Sequence, residues 1–216
     1  MVGLNPDILL RAYGVGLFPM AERHDDSDLY WIDPEKRGII PLDRFRIPRR
    51  LRRTLRKNFF DVKCDTNFEK VIRLCAEPTK DRQETWINEE IIKLYVDLFD
   101  IGKAHSIEAW MDEKLVGGLY GVTLGSAFFG ESMFSRVTDA SKVALVHLVA
   151  RLKVSGFTLL DTQFVTNHLN QFGAVEIHRS GYQHLLSAAV EKSAAFQREL
   201  DELSLNSFIQ STTQTS

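Results

Sequence analysis

Cysteine is scarce: Cys64 and Cys75 are the only two in 216 residues. That excludes a disulfide-stapled miniprotein and a four-thiolate zinc site. Long apolar runs are missing too, and none approaches the ~20 residues that cross a bilayer. The first seven residues, Met1 to Asp7, have neither a basic stretch nor an apolar one of signal-peptide length, so the expectation is a cytoplasmic protein with free thiols and no membrane contact. Nor is there an excess of one charge. The formal net charge is −2, so any polyanion site must come from local clustering. The six histidines, at 24, 105, 147, 168, 178 and 184, show no paired metal spacing, and no metal or other cofactor is expected. His147, on an otherwise apolar helix, reads as a core or pocket-edge group. What is present is ordinary globular material, 44% apolar and 26% charged. It suffices for one sizeable core, or for a small lobe plus one domain.

Helix punctuation is clear at several points. Asn5, Pro6 and Asp7 open a helix whose apolar stripe is Ile8, Leu9, Leu10 and Tyr13, with Gly14 as its stop. Gly16 to Met20 reads as an apolar loop, His24 to Asp28 as an exposed polar turn, and Leu29–Ile32 and Arg37–Pro41 as short strands. Residues 44–57 are the strongest anomaly, with eight Arg or Lys in fourteen positions and no acid; Pro48 opens a helix there. Phe59 to Asp65 reads as a strand and Phe68 to Cys75 as a helix. Asn88 caps a helix whose Ile91, Leu94, Tyr95 and Leu98 face inward and which stops at Gly102. Ala104–Met111, Leu115–Thr123 and a strand from Ala127 form a meander, in which Gly117, Gly118 and Gly121 suggest a bulge or a close ligand. A helix from Asp139 or Ser141 to Gly156, a buried strand from Phe157, a short helix from Thr166 or Asn167, a strand near Ala174–Ile177 and a helix from Ser180 toward Leu200 complete an α+β chain with a mixed sheet. Residues 203–216 read as frayed. The expected partition is 1–41 as a small N-terminal lobe, 42–187 as the catalytic domain, and 188–216 as a C-terminal helix and tail.

The ordered strings are specific. They are Tyr13-Gly14-Val15-Gly16-Leu17-Phe18-Pro19-Met20, Trp31-Ile32-Asp33-Pro34, Thr85-Trp86-Ile87 and Gly102-Lys103-Ala104-His105-Ser106-Ile107-Glu108. Next come Leu115 to Val122, Gly130-Glu131-Ser132-Met133-Phe134-Ser135, Ala140-Ser141-Lys142, Leu160-Asp161-Thr162-Gln163 and Gly173-Ala174. Through them the chain resembles the leucyl/phenylalanyl-tRNA–protein transferases from about Leu9 to Leu186. The resemblance implies a GNAT-like acyltransferase core behind a small N-terminal lobe. It also implies transfer of Leu or Phe (also Met) from an aminoacyl-tRNA to the α-amine of proteins beginning with Arg or Lys, which feeds the bacterial N-degron pathway. A monomer is expected. The front lobe is shorter than is usual for the family, and the segment after residue 187 is extra.

An aminoacyl ester is already activated, so no ATP is needed, and no Walker-type phosphate loop is present. The nucleophile is the acceptor's own α-amine, whose reference pKa is ~7.7–8.0. Positioning, proton removal and oxyanion stabilisation remain for the enzyme. The resemblance points to Asp161, Gln163 and Glu131 as the catalytic set. Asp161 and Gln163 lie two apart and share one side if they stand in a strand. A neutral amide is a very poor base, so Gln163 is expected to orient the amine, with the proton leaving through Asp161, water or the tRNA; alternatively Asp161 ends a strand and caps the Thr166 region. Glu131, beside Gly130 and ahead of an apolar Met-Phe pair, needs a cation. That cation is either the acceptor's N-terminal Arg or Lys, or a structural Arg136 or Lys142. Glu108 is a weaker second acid with a solvent-facing alternative.

The resemblance further implies a donor side-chain pocket lined by Phe128, Met133, Leu145, Leu148, Leu152 and Leu160, each of which could equally be core. Trp31 and Trp86 could stack on the terminal adenine of the tRNA, or pack lobe against core. Arg49, Arg52, Arg53, Arg56 and Lys57 suit tRNA phosphates, or a solvated basic face. Two rivals stay open. An acyl-CoA-dependent GNAT acetyltransferase would need a glycine-rich pyrophosphate turn, but residues 136–140 hold an acid and no glycine. A non-catalytic RNA-binding module explains the basic run but not the embedded Glu131, Asp161 and Gln163.

Overall fold

The computed structural model describes residues 4–21, 29–78 and 85–212; the polar turn expected at 24–28 lies outside them. Asn5 accepts from the Ile8 N–H at 3.0 Å and starts α1 (Pro6–Gly14). The expected loop that follows is instead strand β1 (Phe18–Ala21), paired antiparallel with β2 (Leu29–Ile32) as a two-stranded ribbon. Period alone hid it, because Phe18 and Ala21 are both buried. β3 (Lys36–Ile39) leads through a 3₁₀ turn at Leu42–Arg44 to the basic helix α2 (Arg49–Lys57). Next come β4 (Asp61–Cys64), α3 (Phe68–Ala76) and α4 (Glu89–Asp100), the last capped by Asn88 accepting from Ile91.

The meander is β5 (Ala104–Met111), β6 (Lys114–Leu124) and β7 (Ala127–Ser135). Helix α5 (Ala140–Val154) follows, apolar nearly all round and buried accordingly. Then come β8 (Leu159–Gln163), the one-turn α6 (Asn167–Asn170), β9 (Val175–His178), α7 (Arg179–Glu191) and α8 (Glu202–Ser211). Helix α7, expected from Ser180 toward Leu200, stops at Glu191. Of the region read as frayed, 203–211 belong to α8, whose Phe208 is buried beside Phe45 with ring centroids 5.9 Å apart, and 213–216 lie outside the described residues. No described helix is long and apolar enough to cross a membrane.

One seven-stranded mixed sheet runs in the order β4-β5-β6-β7-β8-β3-β9. Strand β3 lies on the lobe side of the boundary expected at residue 41, yet sits inside this sheet between β8 and β9. The sheet separates two cores. On one face α1, α3, α4 and α7 pack around Tyr13, Val71, Tyr95, Tyr120 and Phe129; on the other, α2, α5 and α8 pack around Leu51, Phe128, Leu148 and Phe172.

Two features open the site. The parallel pair β7–β8 matches residues 127–129 with 159–161 and goes no further, so β7 continues to 135 without its neighbour and a fork forms. Also, Tyr120 pairs with Ser132 while Gly121 pairs with Gly130, which leaves Glu131 as the extra residue of a bulge. The bulge flips the alternation: Phe128 and Met133 pack in one core, Phe129 and Phe134 in the other. The odd glycines answer to this packing and not to a ligand. A Cβ on Gly121 would lie 2.3 Å from the Phe129 carbonyl oxygen, and one on Gly117 would lie 2.5 Å from Ala140 Cβ at the start of α5.

Candidate active site

A cavity of about 480 Å³ fills the fork. Its floor is Leu119, Glu131, Met133, Leu160 and Gln163 from the sheet; one wall is Leu145 and Leu148 of α5, and the rim carries Trp86, Met20 and Phe164. Apolar side chains make up half the lining; the polar ones are the bulged Glu131 and the turned Gln163, together with Ser132, Ser135, Ser141, Thr162, Thr166 and His168.

Glu131 is the acid in that lining. Tyr13 Oη donates to its Oε1 at 2.6 Å, and Tyr95 Oη and Gln163 Nε2 each donate to Oε2 at 3.0 Å. The two phenols are also 2.6 Å from each other. Two phenolic protons cannot fill three oxygen–oxygen contacts. A proton on Glu131 completes the triangle. Burial, with the charge of Asp161 adding to it, lifts the Glu131 carboxyl to about 7, against the pull of the Tyr13, Gln163 and Tyr95 hydrogen bonds. The structural partners considered for Glu131 are engaged elsewhere, Arg136 with Glu77 and Lys142 with Asp139.

Gln163 reaches Glu131 through a strained turn. Its φ is +62°, and the Phe164 N–H bonds back to the Thr162 carbonyl at 2.6 Å, a three-residue γ-turn of the less favoured hand. The opposite residue on β3 must be Gly38, since a Cβ there would lie 2.7 Å from the Phe164 carbonyl carbon. The turn holds because the Gln163 N–H donates to Asp161 Oδ1 at 2.7 Å.

Asp161 itself lies behind the cavity, fully buried, and does not line it. Arg37 Nε and Nη2 donate to its two oxygens at 3.0 and 2.6 Å, and Tyr182 Oη donates at 2.6 Å. Arg37 is 1% exposed, donates its Nη1 to the Gly16 carbonyl at 2.9 Å, and lies between the Phe18 and Tyr182 rings. With its acceptor positions taken and no opening to the cavity, Asp161 is a poor exit for a substrate proton. It orients Gln163.

Of the expected donor-pocket residues, Met133, Leu145, Leu148 and Leu160 line the cavity. Phe128 and Leu152 do not. Both are fully buried in the α5 core, Phe128 before the bulge and Leu152 one turn past Leu148. Trp86 is on the rim, whereas Trp31 is half-exposed in the β1–β2 ribbon opposite Pro19 and lines no part of the cavity. Glu108 is neither a site acid nor solvent-facing. It is fully buried and accepts from the Thr66 and Asn67 N–H groups at 2.8 and 2.7 Å, from the Thr66 hydroxyl and from Trp110 Nε1. His147 is held neutral by burial, its pKa lowered to about 3. His168, which unlike His147 lines this cavity, is pushed below its ordinary range by the same cause.

The sequence reading had Tyr13 and Tyr95 only as core and passed over Arg37. In the basic segment Arg49, Arg53, Arg56 and Lys57 are exposed, while Arg52 is half-buried and donates to the Thr212 carbonyl at 2.9 Å.

Residues 39–187 match the model of the leucyl/phenylalanyl-tRNA protein transferase family, and residues 3–35 match that of its N-terminal domain. A leucyl/phenylalanyl-tRNA–protein transferase of Paramagnetospirillum magneticum is 64% identical over 195 residues, covering 90% of this chain and 93% of that protein. The one of Rhodopseudomonas palustris strain BisB18 is 56% identical over 195 residues, covering 90% and 85%. Among solved structures, L-PGS from Bacillus licheniformis aligns at a TM-score of 0.42 and 14% identity over 76% of this chain and 54% of that one. The chain therefore belongs to the leucyl/phenylalanyl-tRNA–protein transferase family.

Proposed function

We propose that the chain transfers Leu, Phe or Met from a charged tRNA to the α-amine of proteins beginning with Arg or Lys, and so feeds an N-degron pathway. One observation carries the reading: a single cavity joins an apolar slot (Met133, Leu145, Leu148, Leu160) to an acidic end (Glu131). The slot suits the donor side chain and the acid suits the acceptor's cation. Two prepared substrates are thereby held together, and positioning does much of the work. The parting of β7 from β8 supports a GNAT-like core that runs to residue 187 and takes in β3 (Lys36–Ile39), which lies between β8 and β9, with the residues ahead of β3 as a front lobe and 188–216 as a C-terminal appendage.

In the proposed reaction the acceptor α-amine attacks the ester carbonyl, the C–O bond to the ribose breaks, and the ribose hydroxyl leaves with a proton that the amine has shed. Gln163, fixed by Asp161, orients the amine. Glu131 compensates the N-terminal cation, and Trp86 at the rim is placed to stack on the terminal adenine. No cofactor takes part. The acid Asp139 at the start of α5, paired with Lys142 at 3.0 Å, disfavours a CoA pyrophosphate there. The direct test incubates the protein with leucyl-tRNA, or with acetyl-CoA, and a peptide beginning with Arg, and weighs the product. A leucine-mass gain supports the reading; an acetyl gain, or none, refutes it.

The exposed cations of α2 are proposed to meet tRNA phosphates. Arg53, Arg56 and Lys57 changed together to Glu should weaken tRNA binding and flatten its dependence on log salt by ~2–3, since each duplex phosphate contact contributes ~0.9 to the slope. An unaltered slope in a binding titration would move the RNA elsewhere.

A further inference from the structure

Phe59 is a large aromatic that the fold puts out into a basic surface. α2 ends at Asn58, whose φ of +49° turns the chain left-handedly off the helix. The turn buries Phe60 and leaves Phe59, at 59% exposed, outside the strand it was expected to start. Its ring stands between two cavities. One, of about 590 Å³, takes Arg50, Arg53 and Lys57, which lie on one face of α2 by their spacing. The other, of about 380 Å³, takes Arg52 and Arg56. Lys57 Nζ lies 5.5 Å from the ring centroid. Among the described residues, no acid pairs with Arg50, Arg53, Arg56 or Lys57. The acids lining these cavities are Asp139, which pairs with Lys142 and accepts from Thr54, and Glu202.

We infer that Phe59 is a stacking platform for an unpaired nucleotide of the bound RNA, its phosphates following the Arg50–Arg53–Lys57 row. This rests on the tRNA reading above. The chemistry is specific: an exposed ring gives a base a π-face without reading its identity, and the flanking cations neutralise the backbone on either side. A second protein as occupant would leave this row of cations facing a surface with no reason to be anionic. A polyanion answers both features at once.

The test compares Phe59→Ala and Phe59→Trp with the unsubstituted chain. Uncharged tRNA and a short single-stranded RNA are titrated at several salt concentrations, and KM is measured for leucyl-tRNA and for a leucyl-adenosine donor that lacks the rest of the RNA. Phe59→Ala should weaken tRNA binding and raise the leucyl-tRNA KM roughly tenfold or more, the scale of one lost stack. The salt slope should hold, since no phosphate contact is removed, and the leucyl-adenosine KM should move far less. Phe59→Trp should restore affinity, with its indole fluorescence quenched by the single-stranded RNA. Equal tRNA binding by Phe59→Ala, or equal KM changes for both donors, overturns the stacking role while transfer itself stands. An unsubstituted chain that binds no tRNA overturns both this site and the reading beneath it.

Discussion

Replacing Arg37 with methionine is expected to cost the fold ~3–5 kcal/mol, because it leaves the fully buried Asp161 carboxylate without its counter-charge. For a chain of this size that is a fall in Tm of roughly 10 °C. The loss should not add to that of Asp161→Asn. The asparagine keeps one oxygen, for either the Gln163 N–H at the Oδ1 position or the Tyr182 hydroxyl at Oδ2, and leaves Arg37 without its counter-charge. A double variant has neither orphan charge, so it should melt no lower than the worse single one, which is the signature of direct coupling. Kinetics separate support from chemistry. As a positioning residue Asp161 should, when changed to Asn, lower kcat with acceptor pH dependence unchanged in shape. Disappearance of an ionisation from the pH profile would instead make Asp161 the proton acceptor. Additive Tm losses would dissolve the pair as a unit.

How much of this was legible follows from the range of each interaction. The helices with local caps (Asn5, Asn88) and the β5–β6–β7 meander were readable, because their signals lie within a few residues. The lining of the cavity by Met133, Leu145, Leu148 and Leu160 followed from the family resemblance. Hidden were contacts that span the chain. Arg37 sits in a stretch, Glu35-Lys36-Arg37-Gly38, that reads as surface, and its carboxylate lies 124 residues away. Tyr13 and Tyr95 were placed inside for their rings, but the hydroxyl partner, Glu131, is 118 and 36 residues distant. Phe128 was put into the pocket by the family resemblance; the bulge at Glu131 leaves it in the same core as Met133, but only Met133, beyond the parting of β7 from β8, reaches the cavity. A trace of the bulge was there to read: Phe128-Phe129 and Met133-Phe134 are apolar pairs five apart, which no unbroken period of two puts on matching faces. The tail was misjudged for want of a long apolar stripe. Phe208 is the only α8 residue that burial claims strongly, and α8 docks on α5 through it.

Changing Glu131 to glutamine should be the most telling substitution for function. Truncating one member of a desolvated charge pair costs ~2–5 kcal/mol, so kcat/KM for acceptors beginning with Arg or Lys should fall by two orders of magnitude or more, while tRNA binding stays near that of the parent. The pH dependence adds a sign. The carboxyl is raised to about 7 by burial, so it is neutral below that pH and anionic above it. An anion is what an N-terminal cation requires, so the parent's kcat/KM should rise through pH ~7 and again near the acceptor amine's ~8. The glutamine variant should keep only the upper rise. Stability runs the other way. A group whose folded pKa is raised favours folding below its unfolded value of 4.5, and the benefit is lost as pH climbs through 7. The Tm of Glu131→Gln relative to the parent should therefore improve between pH 4.5 and 7, over the same interval in which the parent's activity turns on. Two rises persisting in the variant's profile, or an undiminished preference for basic N-termini, would remove Glu131 from the acceptor site and leave the Tyr13–Tyr95–Glu131 triangle as scaffold alone.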